Sequence, residues 1–310
     1  MDKSSKILLV GHNDIIEQAL CRYFTAQGFP SVFSVSALAL NAAIQASVYD
    51  FFQTHRPDYV VLGSTRSGGI TANEQSPADF IYHNLQSECN IFYAANKFKA
   101  KKILYLASSC VYPGECPQPM NEDAILTGPL EKTSEPYSIA KIAGISLARS
   151  FRKQYGLNTA VMIPATVYGP GSDTDLKTAH VMGALIHKFV DAVRNNRPEV
   201  SVGGSGKARR EFLFVDDFIE AALFMLKNDA GEDVVNIGTG KDITIEELAQ
   251  LIARLTGFKG QITYDRSMPD GVMQKLLDTG RMNKLGLKVK EDLNVGIQKT
   301  IDWYKNEVST

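Results

Sequence analysis

The chain has 310 residues, 44% hydrophobic and 22% charged, and a formal net charge of −1; that is the balance of a globular protein with one large domain or two modest ones sharing a core. So little net charge gives no basis for nucleic acid or an anionic membrane surface as partner, and no apolar run reaches the ~18 residues a membrane-crossing helix needs. Four cysteines, Cys21, Cys89, Cys110 and Cys116, are not spaced for zinc and are too sparse for a disulfide framework, and the first five residues open no signal peptide. The expectation is a cytoplasmic protein without a metal site.

In chain order, the first half alternates short β-branched runs with amphipathic stretches, the pattern of a parallel sheet covered on both faces. Residues 6–10 predict a strand, 15–27 a helix ended by Gly28, 31–35 a short strand and 48–55 the continuation of a helix. Residues 59–63 predict a third strand and 77–96 a helix. A fourth strand over 102–107 delivers Ser108 to its carboxyl end. Residues 136–155 predict a long helix with Pro136 in its first turn, and 159–164 a fifth strand running into Val167-Tyr168-Gly169-Pro170. Beyond that the rhythm breaks: loop over 171–178, helix over 180–195, turn at 203–206, strand then helix over 212–227, buried strand at 234–237, and amphipathic helices over 244–256 and 293–306. The expected fold is α/β, a doubly wound parallel sheet with a smaller discontinuous C-terminal domain. Residues 1–170, rejoined by 212–237, would form the first unit and 171–310 mainly the second. Ligands of such sheets bind beyond the carboxyl ends of the strands, where Ser108 and Tyr168 fall.

Chemistry concentrates in Ser108-Ser109-Cys110-Val111-Tyr112-Pro113 and Tyr137-Ser138-Ile139-Ala140-Lys141. Tyr137 and Lys141, four apart, share a helix face. An ammonium near a phenol favours phenolate and eases proton transfer to or from a carbonyl oxygen, and a serine hydroxyl can bond that same oxygen. This is apparatus for reducing a carbonyl by hydride. Read alone, the Tyr–Lys spacing also fits an ordinary helical pair, Cys110 a small buried hydrophobe, and His180 a helix-start residue.

With these residues, Gly68-Gly69-Ile70, Pro77-Ala78-Asp79-Phe80-Ile81-Tyr82, Glu135-Pro136-Tyr137, Ala140-Lys141-Ile142-Ala143-Gly144, Tyr168-Gly169-Pro170, Arg210-Glu211-Phe212-Leu213 and Pro269-Asp270-Gly271 occur in order. The set resembles the GDP-L-fucose synthases, Rossmann-like epimerase-reductases of the extended short-chain dehydrogenase/reductase superfamily, over almost the whole chain. The resemblance implies an NADPH-dependent 3,5-epimerase and 4-reductase acting on GDP-4-keto-6-deoxy-D-mannose or a close GDP-ketosugar. It implies Ser108, Tyr137 and Lys141 as the reductase triad, with Cys110 and His180 as base and acid at C3 and C5. Gly11, Pro164 and His180, with Tyr137 and Lys141, would meet NADP, and Lys188, Arg210, Asp270 and Lys275 the nucleotide sugar. It further implies a homodimer through a four-helix interface built from 77–96 and 136–155.

The family pattern is altered where NADP should bind. A Gly-x-x-Gly-x-x-Gly turn lets a pyrophosphate approach backbone amides at a helix start; here the turn reads Gly11-His12-Asn13-Asp14-Ile15-Ile16-Glu17. A carboxylate ~5 Å from a phosphate charge costs about 3 kcal/mol at an effective dielectric near 20, unless Asp14 serves as the helix cap. Neither Asn13 nor Ser34-Val35-Ser36 supplies the cation expected for a 2′-phosphate, Leu62-Gly63-Ser64-Thr65 replaces an alanine-rich turn, Thr166 stands for Asn and Phe214 for His. Gly203 stands for an aromatic, and Met268 and Gln274 for basic residues. Three readings stand open at this point: the epimerase-reductase; an altered activity on a nucleotide sugar, either a reductase for another GDP-ketosugar or an epimerase working without nicotinamide; and a non-catalytic partner subunit.

Overall fold

The computed structural model describes residues 1–12, 14–38, 40–176, 178–229 and 234–307; Asn13 lies outside the described residues. The first strand, β1 (Ile7–Val10), is buried along its whole length, as an inner strand covered on both faces must be. Then come α1 (Ile15–Ala26), β2 (Val32–Ser34), α2 (Gln45–His55), β3 (Tyr59–Leu62), the short α3 (Ile70–Gln75), α4 (Pro77–Lys97), β4 (Lys102–Leu106), α5 (Glu135–Tyr155) and β5 (Thr159–Pro164). The second half adds β6 (Thr166–Tyr168), α6 (Val181–Arg194), β7 (Glu199–Gly203), β8 (Arg209–Phe214), α7 (Val215–Lys227) and β9 (Val234–Ile237). It closes with β10 (Asp242–Thr244), α8 (Ile245–Thr256), β11 (Gln261–Asp265), β12 (Gln274–Lys275), α9 (Gly280–Lys284) and α10 (Leu293–Glu307).

Six strands form one parallel sheet in the order β2-β1-β3-β4-β5-β9. Chain direction across the sheet reverses between β1 and β3, so their carboxyl ends flank a topological switch point, where such sheets bind ligands. Strand β8 is the hub of a second sheet, antiparallel to β10 and parallel to β12 and β6, while β7 and β11 pair in parallel. The sequence reading starts a strand at 212; the strand starts at Arg209, because β10 and β12 pair with the polar Arg209–Arg210 segment, which no apolar pattern marks. The strands at β7 and β11, also unassigned from sequence, are short and half polar, and their pairing with each other defines them.

Residues Glu88 on α4, Tyr105 on β4 and Lys141 on α5 meet at the packing of α4 and α5 over the sheet. Gly144 makes that packing possible: a Cβ there would sit 2.1 Å from the Tyr105 hydroxyl. Among the described residues, no helix is long and apolar enough to cross a membrane.

Candidate active site

Strand β4 ends in a one-turn helix over Ser109–Val111, with Ser108 at its start accepting a hydrogen bond from the Cys110 N–H at 3.3 Å. The tight turn puts the Ser108 hydroxyl and the Cys110 thiol beside the first turn of α5, which carries Tyr137. The Tyr137 hydroxyl lies 2.9 Å from Ser64 Oγ, just past β3, and also engages the Ser108 hydroxyl. Burial, with the nearby Cys110, raises the phenol well above its ordinary pKa despite those two hydroxyls. Tyr137 therefore keeps its proton throughout the physiological range and is set to donate it.

Lys141, one turn on, is fully buried, and its ammonium bonds Glu88 Oε1 at 3.2 Å while lying 4.7 Å from the Tyr105 ring centre. The sequence expectation of an ammonium set on the phenol is thus modified, because the described hydrogen bond of Lys141 runs to a carboxylate from the neighbouring helix. Tyr105 donates to the same Glu88 oxygen at 2.7 Å, and Glu88 Oε2 is buried without a partner among the described residues. Burial pushes Glu88 up and Lys141 down, each opposed by the other's charge.

Cys110 sits 3.6 Å from the Lys275 ammonium at the end of β12. Burial alone would raise the thiol, but Lys275 and the hydroxyls of Ser108 and Ser134 outweigh it and the pKa falls below the ordinary value. A depressed thiol beside an ammonium is the environment of a reactive thiolate. Arg210 reaches the same cluster: the Cys110 charge is among the groups acting on its guanidinium, which donates to the Asp270 carbonyl at 3.1 Å and the Arg209 carbonyl at 2.8 Å. The Asp270 carboxylate accepts from the Ser205 N–H at 2.7 Å, fixing the loop that carries it.

His180 is the exposed residue preceding α6. The surrounding protein lowers its pKa, opposed by Asp173 and assisted by His12 and Lys275. Pro164 ends β5 opposite Ile237. Lys188 donates to the Ser201 carbonyl at 2.8 Å, which ties its ammonium to β7. The structure therefore groups Ser108, Cys110, Tyr137, Arg210 and Lys275, and His180 feels the Lys275 charge; Lys141 lies one turn on from Tyr137, and the described contacts of Lys188 and Pro164 run to β7 and β9. Among the described residues no three His, Cys, Asp or Glu side chains converge on a possible metal.

At the switch point a cleft of about 340 Å³ is lined by Gly11, Ser36, Asn41, Thr65, Arg66 and His83, among others. The two carboxylates of the altered turn do not face it as bare charges. Asp14 caps α1, accepting from the Glu17 N–H at 2.8 Å, and lies 3.5 Å from His12 Nδ1. Glu17 is buried, turned towards the end of β2, where it accepts from Ser34 Oγ at 2.6 Å and Ser36 Oγ at 2.7 Å. Gly11 is buried, and a Cβ there would meet Glu17 Oε2 at 3.0 Å, so the acid packs against the remaining glycine of the turn. The cleft, with Arg66 and His83 on its wall, fits the adenosine half of a dinucleotide, and the Ser108–Tyr137 pair beyond β4 fits the reacting half.

Sequence reasoning missed Ser64, Glu88, Tyr105 and Ser134. Ser64 stands in a turn singled out only as a departure. Glu88 carried a readable signal: with Phe80, Asn84 and Ile91 it recurs at helical spacing on the buried face of α4, where an acid needs a partner.

The profile of the family described as NAD dependent epimerase/dehydratase matches residues 7–238. The chain is 41% identical to GDP-L-fucose synthase 1 of Arabidopsis thaliana over 99% of this chain and 95% of that protein. It is 39% identical to the GDP-L-fucose synthase of Escherichia coli strain K12, covering 96% of each. A solved structure of MlghC, a GDP-mannoheptose C4 reductase from Campylobacter jejuni with NADP bound, superposes with a TM-score of 0.90 at 30% identity, over 99% of this chain and all of that one.

Proposed function

The chain belongs to the NAD dependent epimerase/dehydratase family, and from that premise we propose that it is an NADPH-dependent epimerase-reductase of a GDP-linked 4-keto-6-deoxy sugar, with GDP-L-fucose as product. The observation that carries this reading is the meeting of two proton-moving devices in one place: the Ser108–Tyr137 pair and the Lys275-activated Cys110 thiol. One device suits carbonyl reduction, the other epimerisation next to that carbonyl.

Protons on C3 and C5 are acidic because the C4 ketone delocalises the carbanion as an enolate. Cys110, as thiolate, takes such a proton, and His180 returns one from the other face of the ring. Ser108 and Tyr137 hydrogen-bond the C4 oxygen, which holds the enolate charge during each inversion. NADPH, when bound, supplies hydride to C4. Tyr137 then gives its proton to the C4 oxygen, and Ser64, hydrogen-bonded to the phenol, offers a route for its replacement. Lys141, kept in register by Glu88 and Tyr105, sets the α5 turn that aims Tyr137. Arg210 and Lys275 supply the positive charge that the nucleotide diphosphate needs.

We assign the nucleotide sugar to the part of the chain outside the large sheet, mainly 171–310, with Asp270 on its wall. We further propose a homodimer through α4 and α5, supported by Tyr82, Tyr93 and Ile139, which are 58%, 47% and 42% exposed on those helices. The four free cysteines suit a reducing compartment, the cytoplasm. The test is NADPH oxidation driven by GDP-4-keto-6-deoxymannose, with solvent deuterium entering C3 and C5. Absence of both from folded protein sinks the reading, and light scattering at micromolar concentration decides the dimer.

A further inference from the structure

The end of β2 is where a Rossmann-like sheet ordinarily recognises the adenosine ribose or its phosphate. In this chain the described serine donors of that position are already used. The Ser34 and Ser36 hydroxyls both donate to Glu17, at 2.6 and 2.7 Å, and the Ser36 N–H points to it at 3.4 Å. The carboxylate has arrived from α1 and consumed the donors. An anionic ligand in the adjoining cleft must find its counter-charge on another wall.

That wall is the turn after β3. Arg66 is the one permanent cation among the described residues lining the cleft, and no described carboxylate pairs with it. Its backbone is held unusually firmly for a loop. The Asn84 side chain, 1% exposed, accepts from the N–H groups of Thr65 at 3.0 Å and Arg66 at 3.3 Å and donates to the Arg66 carbonyl at 2.9 Å. The Thr65 hydroxyl is bound to the His83 carbonyl at 3.2 Å and lies 3.2 Å from Ser87 Oγ. An exposed guanidinium on so fixed a base is pre-organised for an anion, since little backbone freedom is lost on binding. His12 and His83 share the cleft, and no acid is among its described lining residues; the nearest acids, Asp14 and Glu17, are held by the α1 cap and by Ser34 and Ser36.

We propose that Arg66 is the phosphate-binding residue for the adenosine half of the dinucleotide, taking over from the end of β2. The assignment rests on the NADP(H) reading above. Guanidinium geometry suits either a 2′-phosphate or the 5′-diphosphate, because both present paired oxygens for a bidentate contact. The chemistry is a phosphorylated adenosine in both cases.

Calorimetric titration with 2′,5′-ADP and with 5′-ADP, on the intact protein and on Arg66→Ala, tests this without turnover. The expected result is binding of the intact protein that weakens about ten- to a hundredfold in the variant, with an unchanged melting temperature because Arg66 is exposed. A loss confined to 2′,5′-ADP identifies the ribose phosphate as its partner, and a loss for both ligands the 5′ side. Equal binding by the two proteins overturns the assignment while leaving the NADP(H) reading standing. No binding of either ligand to the intact protein up to millimolar concentration overturns both.

Discussion

The proposed reacting site and the proposed adenosine cleft differ in how closely they keep the family pattern. At the reacting end Ser108, Cys110 and Tyr137 keep the residue types the family pattern implies, each tied to a neighbour: Ser108 to the Cys110 N–H, Tyr137 to Ser64, Cys110 to Lys275. At the adenosine end two of three expected glycines have become Asp14 and Glu17, and the basic residues expected near β2 are absent. The contrast has a physical source. Proton transfer needs a particular atom of suitable acidity at hydrogen-bond distance, so few substitutions are neutral. Holding a phosphorylated nucleotide needs space and positive charge, which several walls of one cleft can supply. Both acids have partners within the protein, Asp14 as a half-buried cap and Glu17 buried in a network with serines.

The largest effect belongs to the reacting end. Tyr137→Phe removes the proton donor and leaves the ring packed edge-on to Phe80. Reduction should fall about 10² to 10⁴-fold with folding intact, while solvent deuterium still enters the sugar at a measurable rate through Cys110. If exchange and reduction fell in step, the two devices would not be separable as drawn.

Beneath it lies the Glu88–Lys141 pair. Glu88→Gln strands a buried ammonium, and breaking a buried pair from one side costs about 3 to 5 kcal/mol, visible as a lower denaturant midpoint. The pH dependence has a definite sign. Without Glu88 the folded-state pKa of Lys141 drops further below its unfolded value, so the folded state binds fewer protons than the unfolded one. Stability of the variant then rises with pH until the ordinary lysine pKa is reached. A variant as stable as the parent at neutral pH would mean that Lys141 is already neutral there.

Lys275→Met shifts a titration. Lys275 is the leading group that holds the Cys110 thiol below its ordinary pKa against burial. Without it burial prevails and the thiol rises, so the acidic limb of deuterium exchange at saturating substrate should move to higher pH by about 1 to 3 units. His180 lies on the other limb. Its pKa is also lowered, so the exchange optimum is set by two opposed titrations. An unmoved acidic limb would take the base role away from Cys110.

The same contrast explains what could be read in the sequence. The six parallel strands were legible because each is mainly a run of β-branched or apolar residues, and the proposed reactive residues because their types and spacings are chemically narrow. The second sheet was not: the polar start of β8 gains its strand identity from β10 and β12, residues distant in sequence. Glu17 misled for a related reason. Its place in the turn put a charge at the phosphate site, yet its partners Ser34 and Ser36 lie 17 and 19 residues on, and only the fold shows the carboxylate turned to them. Glu88 and Lys141 lie 53 residues apart and share no motif; only the packing of α4 on α5 joins them.

The smallest effect is the sharpest test of the adenosine end. Asp14→Asn removes a charge and keeps the cap, because asparagine accepts from the Glu17 N–H as well as aspartate does. If the carboxylate repelled a bound phosphate from ~5 Å, losing about 3 kcal/mol of repulsion would tighten 2′,5′-ADP or NADPH by roughly a hundredfold. The geometry argues otherwise: the carboxylate lies against the helix start, where the α1 dipole and the cap N–H offset its charge, with His12 3.5 Å away. The expected change by calorimetry is therefore within about twofold, with the melting temperature unmoved. A hundredfold gain would show that Asp14 opposes the cofactor despite its cap, and that the adenosine end is impaired rather than rebuilt.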